Sequence, residues 1–296
     1  MTDCLRLKMP ELPEVETVRV GLYKLIIGRV VRSATSDNPK SFPNAAVDVQ
    51  EFLIDAAVTN VRRRAKVLMI DLSTDYSLVI HLKMTGQLVF VGEQRFGAGH
   101  PSDSLIANLP DKSTRVTLEF SDGTHLYFND QRKFGWVRLM PTLEVPNIDF
   151  MKKVGPEPLE ADFTAAEFTE LFTRRAGTTI KAALLDQSVI AGIGNIYADE
   201  SLWGAKIHPK RLVKSITDKE FKALYTDVRE VMNLAIAKGG SSNQTYINAE
   251  GQRGHYMDFA RVFRREGQAC PRCGTTILKL RVAGRGTHIC PHCQTL

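Results

Sequence analysis

Nowhere does the 296-residue chain carry the run of roughly 18 apolar residues that a membrane-crossing helix needs. Long internal repeats and low-complexity tracts are missing as well. Tryptophan occurs twice, and Trp136 and Trp203 read as packing residues. Cysteine is sparse: five in all, one of them the isolated Cys4. The opening Met1 to Lys8 is too short and too polar for a secretory signal, so an oxidising compartment and its disulfides are not expected. The cytoplasm, or a bacterial nucleoid, is the expected location. What is present fits about two globular domains: the length allows it, and 43% hydrophobic residues can fill ordinary cores. A formal net charge of +6 suits a polyanionic partner.

The other four cysteines stand close together as Cys270-Pro-Arg-Cys273 and Cys290-Pro-His-Cys293. One C-x-x-C pair could be a redox couple. Two pairs at this separation supply four thiolates for a tetrahedral Zn²⁺ site, because each x-x turn lets both sulfurs of a pair reach one ion. Four cysteine ligands leave no open position for water, so such a zinc is structural. Residues 274–289 between the pairs are long enough for a β-hairpin and carry Lys279, Arg281 and Arg285. A metal-stapled, cationic hairpin points toward nucleic acid.

Periodicity divides the rest. Pro13 to Ile26 reads as a helix with Val15, Val18, Leu22 and Leu25 on one face. From Gly28 to Leu139 short apolar runs alternate with turn residues, as in 67–72, 77–82 and 115–120. The last of these meets Ser121-Asp122-Gly123, a hairpin signal before 124–129. Short strands at this spacing suggest a β-sandwich or barrel. Pro141, Pro146, Pro156 and Pro158 then mark a linker. Beyond it, Thr164 with Glu167 forms a capping-box pattern before a helix to Arg174. Lys181–Asp186, Tyr197–Trp203 and Asp218–Lys238 also read as helical, the last stopped by Gly239-Gly240.

The segment Met9-Pro10-Glu11-Leu12-Pro13-Glu14-Val15-Glu16 has two readings. Pro10 and Pro13 can simply precede and open a helix, and residue types alone favour this. A proline at a chain terminus, however, is a secondary amine able to attack a carbonyl-like carbon and form an iminium, with Glu11 as neighbouring acid or base. Taken singly, Met84 and Phe134 read as core, Lys66 as a solvated charge, and Asn195 as a turn residue.

Several motifs in register resolve these readings. Pro10 to Glu16, His81-Leu82-Lys83-Met84-Thr85-Gly86, Asp130-Gln131-Arg132-Lys133-Phe134-Gly135, Val154 to Leu159, Gly192 to Glu200 and the four cysteines together resemble the formamidopyrimidine-DNA glycosylases, bacterial enzymes that excise oxidised purines. The resemblance runs from Met9 to Gln294. It implies an α+β fold: an N-terminal β-sandwich with flanking helices, then a helix–two-turn–helix domain and a zinc-finger β-hairpin. The expected division is an extension (1–9), a catalytic β-sandwich domain (10–140), a linker (141–160), a helical domain (161–240), a lesion-covering loop region (241–261) and the zinc finger (262–296).

The resemblance also implies roles. Pro10 is the nucleophile that attacks the deoxyribose anomeric carbon, and Glu11 protonates the ring oxygen. Lys66 contacts phosphate and aids β-elimination, and Arg285 assists δ-elimination. Asn195 and Lys181 are DNA contacts. Met84, Arg132 and Phe134 fill the gap left by the extruded nucleotide, Arg132 bonding the orphaned cytosine. Cys270, Cys273, Cys290 and Cys293 hold one structural Zn²⁺. The partner is double-stranded DNA containing oxidised purines, bound by a monomer without a small-molecule cofactor. Rival readings are an oxidised-pyrimidine glycosylase of the sister group, a non-catalytic DNA-binding relative and an RNA-binding zinc-ribbon protein.

Four departures stand out. Met1 to Lys8 precede Met9, and in a chain begun at Met1 the Pro10 nitrogen is a tertiary amide without a nucleophilic lone pair. We therefore expect Met9 to be the start, or the extension to be removed. Ser113 stands where the family often has a DNA-contacting histidine. The loop 241–251 does not rank one lesion over another. Val262-Phe263-Arg264-Arg265 replaces a commoner Val-Tyr-Gly-Arg.

Overall fold

The computed structural model describes residues 9–100, 102–241 and 255–296. The chain divides into two compact units, one built from residues 1–152 and 238–255, the other from 153–237 and 256–296.

The first unit opens with helix α1 (Leu12–Ile26), where Glu11 and Glu14 cap each other reciprocally and Pro13 occupies the first turn. A proline costs nothing there, since the first-turn N–H groups have no partner within the helix. Leu12, Val15, Val18, Leu22 and Ile26 are buried, the spacing of one helical face. Next come β1 (Val31–Ser36), α2 (Ala46–Phe52), β2 (Val58–Arg64), β3 (Val67–Leu72), β4 (Tyr76–His81), β5 (Gly86–Val91), β6 (Arg95–Gly99), β7 (Thr114–Phe120), β8 (His125–Asp130) and β9 (Trp136–Pro141).

They form two open antiparallel sheets, ordered β1-β7-β8-β5-β6 and β2-β3-β4-β9. Leu68, Ile70, Leu78 and Ile80 of one sheet and Leu88, Phe90, Val116, Leu118 and Phe128 of the other share a core with the apolar face of α1. Alternate residues point inward, as the two-residue strand period requires. The outer face of the four-stranded sheet is covered too: Val67, Met69 and Val79 meet Val145, Ile148, Phe150 and Met151. Residues 142–147 form a 3-10 turn and α3 spans Asp149–Lys153, so the first part of the expected linker is a cover for the sheet.

The second unit holds α4 (Ala165–Thr173), α5 (Ile180–Leu185), α6 (Asn195–Gly204), α7 (Asp218–Ala237) and the hairpin β10 (Leu278–Val282) and β11 (Arg285–Ile289). Thr164 and Glu167 make the capping box anticipated for α4. Phe168 and Phe172 of α4 pack on Phe221 and Tyr225 of α7. Helix α6 is buried along most of its length, including Asp199 and Glu200. The hairpin turns at Ala283 and Gly284, both with positive φ, as a two-residue turn between right-twisted strands requires.

Candidate active site

Pro10 and Glu11 are buried at the start of α1, with the Glu11 amide donating to Glu14 Oε2 at 3.0 Å. The second Glu14 oxygen accepts the Ser241 amide at 2.8 Å. Lys66 sits in the tight turn between β2 and β3, where Ala65 has positive φ. Arg63 ties that turn to α1: its guanidinium donates to Glu16 Oε2 at 2.9 Å and to the Ala65 carbonyl at 3.0 Å. The strand ladder sets Val67 opposite His81, the last residue of β4. His81 accepts the Lys83 amide on Nδ1 at 3.0 Å. Burial, then the nearby Lys83 and Lys66 charges, push its pKa down to about 3, so this imidazole is neutral at physiological pH.

The two loops expected to penetrate DNA lie in the same unit. Arg132 Nη1 donates to Met84 Sδ at 3.3 Å, and the Arg132 guanidinium lies 4.9 Å from the centroid of the Phe134 ring. Phe134 is 56% exposed. An exposed phenylalanine beside a cation and a thioether is poorly explained as core and well suited to replace a stacked base.

In the second unit, three expected residues converge on the start of β11. Arg285 is exposed just beyond the hairpin turn. Asn195, at the start of α6, donates from Nδ2 to the Gly286 carbonyl at 2.9 Å. Lys181 departs from the expectation of a DNA contact. It is fully buried on α5, its ammonium 2.5 Å from Asp199 Oδ1 and 2.7 Å from Thr287 Oγ1. An ammonium so enclosed is not presented to solvent, and what it holds is the start of β11. Asp199 Oδ2 also accepts the His288 amide at 2.9 Å, and His288 Nδ1 lies 3.1 Å away. The adjacent Glu200 accepts the amides of Arg261, Val262 and Phe263 at 2.7 to 2.9 Å. Two neighbouring carboxylates of one buried helix thus fix both the hairpin and the segment leading to it.

The four cysteine sulfurs lie within 4.8 Å of one another, with separations such as 3.5 Å for Cys273–Cys290 and 4.0 Å for Cys270–Cys293. A tetrahedron of thiolates about 2.3 Å from Zn²⁺ has edges of about 3.8 Å, so the set fits one zinc ion. With four sulfurs the ion has no open position, and its contribution is to staple the hairpin. Hydrogen bonds from the Thr275 hydroxyl and amide hold the Cys273 thiol down to about 6, which favours the ligating thiolate. Trp203 Nε1 donates to Cys270 Sγ at 3.4 Å, and the Arg272 guanidinium stands 3.8 Å over the indole centroid.

Three family models match in chain order: the formamidopyrimidine-DNA glycosylase N-terminal domain over residues 9–137, its H2TH domain over 154–246, and the zinc finger found in FPG and IleRS over 267–296. The formamidopyrimidine-DNA glycosylase of Pediococcus pentosaceus is 42% identical over 290 residues, covering 97% of this chain and 100% of the relative. The chain belongs to the formamidopyrimidine-DNA glycosylase family. The enzyme of the same name from Pelotomaculum thermopropionicum is 40% identical across 97% of this chain and 99% of its own length. Among solved structures, a mutant Lactococcus lactis FPG bound to Fapy-dG-containing DNA superposes with a TM-score of 0.85 at 35% identity, covering 97% of this chain and 100% of that one. MutM bound to DNA containing carbocyclic 8-oxo-G gives 0.83 at 34%, with the same coverage. The family is one of DNA glycosylases with AP lyase activity, and the zinc site is its zinc finger.

Some expected positions take other forms. Ser113 is buried, its hydroxyl bonded to Asp111 at 2.7 Å and 3.0 Å from Ser104, so it braces the turn before β7. The lesion-covering loop lies outside the described residues from 242 to 254, as does the extension before Met9. His81, Asp130, Asp199 and Glu200 were not singled out from sequence, although all four stand inside motifs already recognised. For Asp199 and Glu200 the available signal was a carboxylate pair between the apolar residues Ile196, Tyr197, Ala198, Leu202 and Trp203 of one helix.

Proposed function

We propose that this enzyme removes oxidised purines from duplex DNA and then cleaves the strand at the same site by β- and δ-elimination. The observation that carries the reading is the tie between two elements: Pro10 and Glu11 lead directly into α1, and Arg63 binds the turn that holds Lys66 to Glu16 of that helix. The Pro10 nitrogen forms a bond to C1′ of the damaged nucleotide as the N-glycosidic bond breaks, and the departing base takes up the proton that the proline nitrogen gives up. Glu11 gives its proton to the ring oxygen, and the opened sugar is left as an iminium on Pro10. That iminium is the electron sink for loss of a C2′ proton and departure of the 3′ phosphate, aided by Lys66. A second elimination, assisted by Arg285, releases the 5′ phosphate. The net charge of +6 supports work on a polyanion, and we read the protein as a monomer acting at the nucleoid.

The chemistry requires Pro10 to be the terminal residue. The test is borohydride trapping on a duplex with one 8-oxoguanine opposite cytosine, comparing protein beginning at Pro10 with protein retaining Met1–Met9. Covalent adduct from the first and none from the second is expected. Adduct from the longer chain at equal rate, or from neither, overturns the assignment. A thymine glycol duplex run alongside tests the purine preference.

A further inference from the structure

The loops carrying Met84 and Arg132–Phe134 are joined by one buried carboxylate. Asp130 ends β8 with no exposure. Its Oδ1 accepts the Thr85 hydroxyl, and also the Arg132 amide at 3.1 Å. Its Oδ2 accepts the Gly135 amide at 2.6 Å. Thr85 Oγ1 in turn lies 3.2 Å from the Arg132 amide. No lysine or arginine pairs with Asp130 among the described residues. Its charge is met by two backbone N–H groups and a hydroxyl, each belonging to one of the two loops.

The backbone around it leaves little slack. A Cβ on Gly135 would stand 2.7 Å from Phe128 and 3.0 Å from the His81 carbonyl, so the second loop closes against the first. Lys133 adopts positive φ, completing a tight turn that lifts Arg132 and Phe134 outward. Asp130 is itself anchored, its amide donating to Ser113 O at 2.7 Å and its carbonyl accepting from Arg115 Nε at 2.9 Å.

We propose that Asp130 and Thr85 form a clasp that assembles the Met84–Arg132–Phe134 wedge before DNA arrives, making Asp130 a positioning residue for nucleotide extrusion and for reading the opposite base. The inference rests on the function proposed above, in which those three residues fill the vacated stack. Holding three side chains from two loops in one arrangement costs conformational entropy. A clasp that meets this cost during folding leaves more binding energy for unstacking the duplex. Asparagine in place of Asp130 keeps the shape but turns an NH₂ donor toward a donor, breaking one arm.

The test uses protein beginning at Pro10 and two substrates. One is a duplex with 8-oxoguanine opposite cytosine or adenine; the other is a single-stranded abasic oligonucleotide, which has no opposite strand and no stack to fill. Asp130→Asn and Thr85→Val are expected to slow duplex excision roughly tenfold and to narrow the cytosine-over-adenine preference, with trapping on the single strand unchanged within about twofold. Thr85→Ser, which keeps the hydroxyl, is expected to match the parent. Equal losses on both substrates, an unchanged opposite-base preference, or a Thr85→Ser variant as slow as Thr85→Val each overturn the clasp. Failure of the parent protein to trap on either substrate overturns the functional reading, and the clasp with it.

Discussion

Lys181 Nζ lies 2.5 Å from Asp199 Oδ1, and neither side chain has any exposure. The pair is useful for what else it touches: Lys181 reaches Thr287 of the zinc hairpin, and Asp199 takes the His288 amide. A buried ion pair of this kind adds little net stability over an apolar pair, yet losing one partner is costly because the other charge is left stranded. Asp199→Ala is therefore expected to destabilise the protein by about 3–5 kcal/mol in urea unfolding. The double variant Lys181→Met/Asp199→Leu is expected to recover much of that while remaining weak in DNA binding, since the hairpin has lost its anchor. A double variant with parental DNA affinity would show that the pair does not position Arg285.

Zinc removal should act on DNA affinity through the same hairpin. Trp203 reports it, because its indole bonds Cys270 Sγ and is covered by Arg272. In a Trp136→Phe background Trp203 is the only tryptophan. Chelation is expected to shift its emission and lower duplex affinity together, with zinc restoring both. Emission that changes while duplex affinity stays constant would contradict a positioning role for the metal.

The expected helix boundaries hold within a few residues, because apolar spacing and caps such as Thr164–Glu167 are local signals. The zinc set was legible for the same reason, its four ligands falling in two short motifs. The burial of Lys181, expected only as a DNA contact, was not. Its partners Asp199 and Thr287 are distant in sequence, and only the packing of α5, α6 and β11 brings them together. Residues 142–153 were hidden differently. Pro141 and Pro146 read as part of a linker, while Val145, Ile148 and Phe150 cover the Val67, Met69 and Val79 side of the four-stranded sheet.

Arg264 carries a backbone cost. It has φ of 59°, a left-handed conformation that costs an L-residue with a Cβ about 1–2 kcal/mol. Glycine adopts it freely. Arg264→Gly is expected to raise stability by about 1 kcal/mol, a few degrees in thermal unfolding. If Arg264 also touches DNA, the variant will bind duplex less tightly with a shallower salt dependence. A lowered melting temperature would contradict the strain.

His81 should make the protein acid-sensitive in a defined window. The unfolded chain protonates this ring near 6.5, the folded chain only near 3, because burial and the Lys83 and Lys66 charges oppose the imidazolium. Between those values the unfolded state binds more protons, so stability falls as the pH drops and is restored as it rises. At pH 5 the loss relative to neutral pH is about 2 kcal/mol for this one ring. His81→Asn keeps an acceptor for the Lys83 amide but has no proton to gain. Its melting temperature is expected to fall less steeply than the parent's between pH 6.5 and pH 4. Parallel slopes in the two proteins would mean that His81 is protonated in the fold, and the neutral acceptor seen beside Lys83 would be the wrong description of the site.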